Sequence, residues 1–293
     1  MSVGGGLRAL LKAEAMVIAP GAYDGLTAKL VAQAGFSAVY MTGAGTSVSH
    51  GYPDFGLLTM SEMVENAARI VRAIDVPVIA DADTGYGNEL NVFRTVQEYE
   101  GRGVAAIHIE DQVSPKKCGH LDDKEIVPRE DYIAKIRAAV AARRDSDFMI
   151  IARTDARAVA GLDEAVARAN AALAAGADMA FVEAPQTMDE LAAVPQRVAG
   201  PCLLNVVRGG KTPEIDLRRA QQMGYRLAIV PGLLLKAVIG ACDDMLAELK
   251  ATFLHPVPRT DMTVREAFNR VGADEWDTLR TRFRNPPERR AAE

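Results

Sequence analysis

Eight short apolar segments alternate with amphipathic segments along most of the chain, and this alternation constrains the fold more than any other feature. Each apolar segment is dominated by Val, Ile, Leu and Ala, as is typical of parallel strands that are buried on both faces. The predicted strands are Met16–Pro20, Ala38–Thr42, Val76–Asp81, Ala105–Glu110, Phe148–Arg153, Met179–Glu183, Cys202–Val206 and Leu227–Pro231. Repeated strand–helix units of this kind predict an α/β protein.

The segments between the strands have helical spacing, and several end in Gly, which adopts the left-handed helix-capping conformation without steric cost. The predicted helices are Tyr23–Ala34, Ser61–Ala73, Leu90–Arg102, Arg129–Arg144, Leu162–Ala175, Met188–Val198, Asp216–Met223 and Leu233–Thr252. Eight consecutive pairs are the number that a closed (β/α)8 TIM barrel requires, although an open doubly wound sheet gives a similar pattern. The count favours the barrel, and no Gly-x-Gly-x-x-Gly motif follows the first strand as in dinucleotide-binding sheets.

The alternation stops after Thr252, which predicts a barrel domain over residues 1–252 followed by a C-terminal helical extension over residues 253–284. Within the extension we predict helices at Thr263–Arg270 and Asp274–Arg284. The polar, Pro-containing segment 285–293 predicts a disordered tail. An apolar helix face that remains after barrel closure packs either on its own barrel or on a neighbouring subunit, and both alternatives stay open here.

Charge and cysteine content exclude several functional classes. The net charge is −5, the pI is near 5.5, and Lys and Arg are dispersed, so we expect no nucleic-acid partner. No apolar stretch approaches the roughly 18 residues of a spanning helix, and no signal peptide precedes the first strand, which predicts a cytoplasmic protein without membrane association. Cys118, Cys202 and Cys242 lack the spacing of a zinc site or disulfide framework. We expect free thiols, with Cys202 and Cys242 in the core.

Acidic side chains gather where the third and fourth strands end. Asp81 and Asp83 are two residues apart, so on extended chain they point the same way, and Glu110 ends the neighbouring strand. Carboxylate oxygens without a companion His or Cys suit a hard cation, which predicts Mg²⁺ with Mn²⁺ as a substitute. The alternative for Asp81 and Asp83 is a structural turn before Gly85. A magnesium site of this kind implies an oxygen-rich anionic substrate.

The other strand ends also carry polar groups, and catalytic groups of such barrels lie at this end. Arg153 ends the fifth strand, and its planar guanidinium matches a carboxylate or a phosphonate. It has an alternative structural partner in Glu183, which ends the sixth strand. Candidate substrate-binding residues after the second and seventh strands are Thr42, Gly43, Ala44, Asn205 and Arg208.

A loop after the fourth strand concentrates Lys116, Lys117, Cys118 and His120 around Gly119. Basic neighbours favour a thiolate, but a nearby metal site already holds an anion, so a neutral thiol that donates a proton is also reasonable. We therefore expect acid–base use of Cys118, with a nucleophilic or structural role as the alternatives.

Five ordered motifs resemble the isocitrate lyase and phosphoenolpyruvate mutase superfamily, and the resemblance extends from about Ala19 to Leu249. The motifs are Asp81–Gly87, His108–Gln112, Lys116–His120, Arg153–Ala156 and Glu183–Pro185. The resemblance implies a (β/α)8 barrel whose eighth helix is exchanged between subunits, a homotetramer built as a dimer of dimers, and one Mg²⁺ per site. It also implies a mobile loop that closes over an α-oxyacid substrate.

The loop sequence Lys-Lys-Cys-Gly-His resembles the carbon–carbon lyases of this superfamily, where the Cys looks like the acid that protonates a departing carbanion. Asn205-Val206-Val207 followed by Gly-Gly-Lys-Thr-Pro looks like the dimethylmalate lyase and carboxyphosphonoenolpyruvate mutase branches. Arg208 departs from the Glu expected there, so it either receives an additional carboxylate or faces solvent.

We therefore predict a Mg²⁺-dependent lyase that cleaves a substituted malate, similar to 2,3-dimethylmalate or 2-methylisocitrate, into an oxoacid and a carboxylic acid. The residues assigned to catalysis are Cys118, Lys116, His120, Tyr40, Arg153 and Glu183. Those assigned to substrate binding are Thr42, Gly43, Ala44, Asp54, Gly119, Asn205 and Arg208, and the metal ligands are Asp81, Asp83 and Glu110. The alternatives are a phosphonomutase, an oxaloacetate decarboxylase or a non-catalytic barrel that binds organic acids.

Overall fold

The computed structural model describes residues 3–284 and confirms the predicted closed barrel of eight parallel strands. The strands are β1 (Val17–Ala22), β2 (Val39–Met41), β3 (Val78–Asp81), β4 (Ala106–Glu110), β5 (Met149–Thr154), β6 (Met179–Val182), β7 (Cys202–Asn205) and β8 (Leu227–Val230). Each strand pairs with the next, and β8 pairs with β1, so the sheet has no free edge.

Every helix predicted from the sequence is present, with small differences at the ends. The helices are α1 (Val3–Ala13), α2 (Gly25–Gln33), α3 (Gly43–Ser49), α4 (Met60–Ala73), α5 (Glu89–Gly101), α6 (Arg129–Ala142), α7 (Ala156–Ala160), α8 (Leu162–Ala174), α9 (Met188–Arg197), α10 (Leu217–Met223), α11 (Leu233–Thr252), α12 (Val264–Asn269) and α13 (Ala273–Arg284). Of these, α1, α3 and α7 were not predicted. None of the helices in residues 3–284 combines the length and hydropathy needed to cross a bilayer.

Helix α1 lies across the amino ends of the strands. Its glycine-rich start is unfavourable in a helix, which hid it from the sequence reasoning, yet Leu7, Leu10 and Leu11 have helical spacing. Leu7 is fully buried in a cluster of inward-facing strand residues that includes Val17 and Leu227, the first residues of β1 and β8, and Leu10 and Leu11 pack against that cluster. The side chain of Leu7 therefore closes the amino end of the barrel.

Local capping fixes where the helices begin. Asp24 caps α2 by accepting from the backbone of Thr27, and Thr59 caps α4 in reciprocal hydrogen bonds with Glu62. These caps satisfy backbone N–H groups that the first helical turn leaves unpaired. The strand-to-helix connections are thus set by short sequence signals.

Strand register brings the polar strand ends together. Glu110 of β4 lies opposite Arg153 of β5, and Asp81 of β3 lies opposite His108 of β4. Because all strands run parallel, their carboxyl ends share one rim. The register therefore places charged side chains from different strands side by side at that rim.

The chain divides into two compact units: one ends at Ala237 and the other begins at Val238, within α11. The first contains all eight strands, and the described part of the second contains the rest of α11 with α12 and α13. The functional domain boundary and the exchange of the eighth helix stay predictions. The tail predicted to be disordered, residues 285–293, lies outside the described residues.

Candidate active site

A cavity of about 160 Å³ opens at the carboxyl ends of the strands. Most of the residues predicted for catalysis or substrate binding line it or contact those that do. The lining residues are Tyr40, Thr42, Ala44, Asp54, Asp81, Cys118, Gly119, His120, Arg153, Asn205, Val207, Pro231, Gly232, Leu235 and Lys236. The structure therefore brings the strand-end residues and the loop after β4 to one place.

Asp81 lines the acidic side of the cavity, and Asp83 and Glu110 lie buried at the neighbouring strand ends. Lys116 lies among them, with its Nζ 2.5 Å from Asp54 Oδ1 and 2.8 Å from Asp83 Oδ1. These carboxylates raise the pKa of Lys116 despite its burial, so its positive charge is retained. Lys116 thus compensates part of the negative charge that these strands accumulate.

The three carboxylates do not have equal environments. Burial raises the pKa of Asp83 to about 6, whereas His108, Lys116 and Arg153 outweigh the effect of burial at Asp81 and lower its pKa to about 2. Burial also raises the pKa of Glu110 well above its usual value. Arg153 Nη1 lies 3.0 Å from Glu110 Oε2, but neither oxygen of Glu110 accepts a hydrogen bond.

The donor set fits a hard divalent cation. Within residues 3–284 no three His, Cys, Asp or Glu side chains are grouped closely enough to hold a metal ion between them. Mg²⁺, however, usually keeps several waters and takes only one or two protein carboxylates, so a complete protein cage is not required. The buried oxygens of Glu110, which have no hydrogen-bond donor, are the groups that such a cation would satisfy.

Arg153 lies at the centre of the opposite wall. Its Nε donates to Asp155 Oδ2 at 2.9 Å and lies 3.8 Å from Glu183 Oε2, and the guanidinium stands 5.2 Å above the ring of Phe181. The two roles predicted for Arg153, substrate binding and structural pairing with Glu183, are therefore compatible. Its guanidinium pairs with protein carboxylates and also lines the cavity. Burial opposes ionisation of Glu183, but Arg153 and His120 outweigh it and lower the pKa of Glu183.

Asn205 and His120 complete this wall. Asn205 Nδ2 donates to both oxygens of Glu183 at 3.2 Å. The backbone N–H of Lys211 donates to His120 Nδ1 at 3.0 Å, so Nδ1 carries no proton and the proton is on Nε2. His120 Nε2 lies 3.0 Å from Glu183 Oε1 and donates to it. His120 therefore ties the Cys118 loop, residues 113–127, to the segment that follows β7.

Of the three cysteines, Cys202 is buried as predicted, whereas Cys242 on α11 is exposed, so its prediction as a core residue was wrong. Cys118 lines the cavity and is partly buried. Its backbone N–H donates to Asp54 O at 3.1 Å, which fixes this point of the Cys118 loop. Burial, with the nearby charge of Asp54, raises the pKa of the Cys118 thiol to about 11. Near neutral pH the sulfur therefore carries its proton, which favours a proton donor over a nucleophile among the alternatives.

Tyr40 and His108 form a buried pair beneath the cavity. Tyr40 Oη lies 2.8 Å from His108 Nε2 and 3.4 Å from Asp81 Oδ2, and the two rings are stacked. Burial lowers the pKa of His108 to about 4 and raises that of Tyr40 well above its usual value. His108 was not predicted as a site residue, although its spacing of two from Glu110 places both on the same face of β4.

The residues after β2 form the start of the unpredicted helix α3. Thr42 caps this helix, with its Oγ1 accepting from the N–H of Gly45 at 3.2 Å. A side chain at Gly43 would place its Cβ 2.4 Å from Asp81 Oδ2, so only glycine allows this close approach. Gly43 therefore lies directly against one of the predicted metal ligands.

The structure does not bring Arg208 into the cavity. Its side chain is 89% exposed and its Nε lies 3.5 Å from Glu214 Oε1. Lys236, which the sequence reasoning missed, lines the cavity instead and donates to Arg208 O at 2.5 Å. The available signal was that Lys236 is the first polar side chain after β8.

Two curated proteins are similar to this chain over most of its length. A 2,3-dimethylmalate lyase from Eubacterium barkeri is 50% identical over 251 residues, which cover 85% of this chain and 87% of that protein. A 2-methylisocitrate lyase from Aeropyrum pernix is 45% identical over 83% of this chain and 78% of that protein. Both relatives are named as lyases.

Solved structures agree in fold. A crystal structure of 2,3-dimethylmalate lyase, described as a PEP mutase/isocitrate lyase superfamily member, superposes with a TM-score of 0.92 at 42% identity, covering 97% of this chain and 96% of that one. A phosphonopyruvate hydrolase in complex with oxalate and Mg²⁺ has a TM-score of 0.87 at 32% identity, covering 97% of this chain and 100% of that one.

A family model described as phosphoenolpyruvate phosphomutase matches residues 7–250. The resemblance inferred from the five motifs is thereby confirmed, and the match extends to helix α1, outside those motifs. The chain is a member of the phosphoenolpyruvate mutase and isocitrate lyase superfamily.

Proposed function

We propose that this protein is a Mg²⁺-dependent carbon–carbon lyase that cleaves a substituted malate into an oxoacid and a carboxylic acid. The observation that carries the proposal is the protonated Cys118 thiol at the wall of a cavity whose other walls hold Arg153 and buried carboxylates. A phosphoryl transfer has no need of such a proton donor, whereas a carbanion released from a broken carbon–carbon bond must be protonated.

Asp81, Asp83 and Glu110 are the residues that would hold the cation, directly or through water. When bound, Mg²⁺ supplies charge that stabilises the negative oxygen developing from the substrate hydroxyl. Lys116 compensates part of the negative charge of this region. Mn²⁺ has a similar preference for oxygen donors and is expected to substitute.

The Arg153 guanidinium lines the cavity and binds a substrate carboxylate there, while its Nε and Nη2 also donate to Asp155 and its Nη1 lies 3.0 Å from Glu110 Oε2. Glu183, held by Asn205 and His120, fixes the guanidinium from the far side. Thr42 and Ala44 line the part of the cavity that takes the oxoacid end, with Gly43 between them against Asp81, and Asp54 and Gly119 shape the wall beside Cys118. These residues orient the scissile bond between the hydroxyl-bearing carbon and its neighbour.

The bond cleavage balances as a retro-aldol reaction. The hydroxyl loses its proton, its oxygen becomes the carbonyl of the oxoacid, and the electron pair of the broken bond stays on the released carbon. Cys118 Sγ–H donates its proton to that carbon, and the sulfur is later reprotonated by the proton taken from the hydroxyl. Tyr40, which is hydrogen-bonded to His108, is the group that we propose receives the hydroxyl proton from the substrate.

A substrate panel tests this function. With Mg²⁺ present, 2,3-dimethylmalate or 2-methylisocitrate should release pyruvate, measured by coupled reduction with lactate dehydrogenase, and excess EDTA should abolish the release. Absence of cleavage across substituted malates would contradict the proposal and favour a non-catalytic binding barrel.

The guanidinium of Arg153 also matches a phosphonate, which keeps phosphonomutase chemistry as the second candidate. Phosphorus NMR with carboxyphosphonoenolpyruvate separates the two, because rearrangement moves the phosphorus resonance and a lyase leaves it unchanged. Oxaloacetate decarboxylation is measured in the same panel.

We also propose a cytoplasmic homotetramer, a dimer of dimers with the eighth helix exchanged between subunits, whose partner is a small organic acid. The family resemblance supports this assembly. Light scattering of the purified protein measures its mass, and a monomer would contradict it.

A further inference from the structure

Lys124 is a buried lysine on the Cys118 loop to which the proposed function assigns no role. Its side chain is only 1% exposed, although a lysine ammonium is costly to bury without partners. Its Nζ lies 2.8 Å from Asp155 Oδ1 and also donates to the backbone carbonyl of Gly119. Lys124 therefore joins the residue next to Cys118 to a carboxylate of the barrel.

Asp155 is shared between this lysine and Arg153. Its Oδ1 takes the contact with Lys124, and its Oδ2 accepts from Arg153 Nε at 2.9 Å. Asp155 is fully buried, and its backbone N–H donates to Asp111 Oδ1 at 2.8 Å, so the carboxylate is held in place. One fixed anion thus connects the Cys118 loop to the guanidinium.

Gly119 packs directly on the same guanidinium. A Cβ at Gly119 would lie 2.6 Å from Arg153 Nη2 and 2.6 Å from Glu183 Cγ, so the loop backbone is as close as a chain can approach. The hydrogen bond from Lys124 to Gly119 O acts on this contact. Since Cys118 is the adjacent residue and lines the same cavity as Arg153, the position of its thiol depends on that bond.

We propose that Lys124 is a positioning residue. By tying Gly119 to Asp155, it sets the Cys118 thiol at a fixed distance from the substrate carboxylate that Arg153 binds. The consequence for chemistry rests on the proposed use of Cys118 as a proton donor. The role differs from that of Lys116, which binds Asp54 and Asp83 on the acidic side of the cavity.

Lys117 provides a matched control on the same loop. Its Nζ donates to Asp123 O, within the loop itself, and the contact is exposed. Lys117→Met therefore removes one positive charge from the loop without removing a tie to the barrel, whereas Lys124→Met removes both the charge and the tie.

The experiment compares the two variants in the full-length protein by iodoacetamide labelling and by turnover. In Lys124→Met, Cys118 should be alkylated about tenfold faster than in wild type at pH 8, as measured by peptide mass spectrometry. Buried Cys202 is the internal reference and should stay unlabelled in every protein. We expect kcat to fall about hundredfold, the loss typical of a reacting group displaced by about 1 Å.

Inhibition by oxalate with Mg²⁺ separates positioning from general damage. Its inhibition constant should stay within about threefold of wild type, because the groups that bind an oxoacid are untouched. Lys117→Met should match wild type in labelling, kcat and inhibition.

Two outcomes would overturn the proposal. One is a Lys124→Met protein that labels and turns over like Lys117→Met, and the other is faster labelling with unchanged kcat. If Lys124→Met does not fold, Lys124→Gln, which keeps a donor without the charge, carries the same expectations. Labelling needs no substrate, so it decides the role of Lys124 on the loop even if no malate is cleaved.

Discussion

The two ends of the barrel are both buried, yet their contents are opposite. The amino end is filled by apolar side chains, with Leu7 of α1 closing it against inner residues such as Val17 and Leu227. The carboxyl end buries Lys116, Arg153 and several carboxylates. Apolar burial stabilises a fold by roughly 25 cal/mol per Å², whereas buried ion pairs often do no better than apolar residues of the same size.

The difference indicates what each end is for. Removal of a side chain from the amino end should lower the free energy of unfolding and leave the chemistry intact. Changes at the carboxyl end should lower turnover, because the charged side chains there line a cavity in addition to pairing with each other. The following predictions test this division, from the largest expected effect on turnover to the smallest.

Cys118→Ser should have the largest effect at the carboxyl end. A serine hydroxyl is a much weaker acid than a thiol, so kcat should fall by about 10²–10⁴-fold, the usual contribution of a general acid. Oxalate inhibition should be retained, since the binding groups remain. Steady-state kinetics check both values, and Cys202→Ser, in the core, should keep its kcat. Retained turnover in Cys118→Ser would contradict the role of the thiol.

Arg153→Lys should reduce kcat/KM by about 10²-fold. Lysine keeps the charge but has no planar fork, so it cannot hold Asp155 while it binds a substrate carboxylate. The matched control is Arg157→Lys, in a partly exposed pair with Glu190, which should change kcat/KM by less than about twofold. Equal losses of kcat/KM in Arg153→Lys and Arg157→Lys would contradict a specific role of Arg153 in substrate binding.

Leu7→Ala should produce the reverse pattern at the amino end. The substitution leaves a cavity in a fully buried cluster and should lower the free energy of unfolding by about 2–5 kcal/mol. Chemical denaturation measures this loss, and kcat/KM of the folded protein should stay close to wild type. Lys12→Ala on the same helix is exposed and should change stability by less than about 0.5 kcal/mol.

Arg208→Ala should have the smallest effect on turnover among the changes at the carboxyl end. Its guanidinium is exposed and weakly paired with Glu214, so kcat and KM should both stay within about twofold of wild type. A large rise in KM with the dicarboxylate substrate would show instead that Arg208 reaches the distal end of the substrate.

The fold was largely predictable because its signals are local. Apolar strands and glycine-ended helices fixed the barrel, and parallel strands necessarily bring Asp81, Glu110 and Arg153 to one rim. The side chain of Arg208 was harder to place, because it follows the end of β7 at Asn205 in a segment that turns at Gly209, which has a φ of 73°. Lys124 and Lys236 were missed, because their positions depend on the path of a loop and on where α11 begins.

Turnover of 2,3-dimethylmalate in deuterated water with Mg²⁺ tests the central claim most directly. The thiol of Cys118 exchanges its proton for deuterium, so the released carboxylic acid should carry one deuterium on the freed carbon, in a single configuration, while the oxoacid should carry none from the cleavage step. Chiral analysis and mass spectrometry of the products measure both. An acid labelled in both configurations would show that solvent delivers the proton, and would contradict a positioned thiol donor.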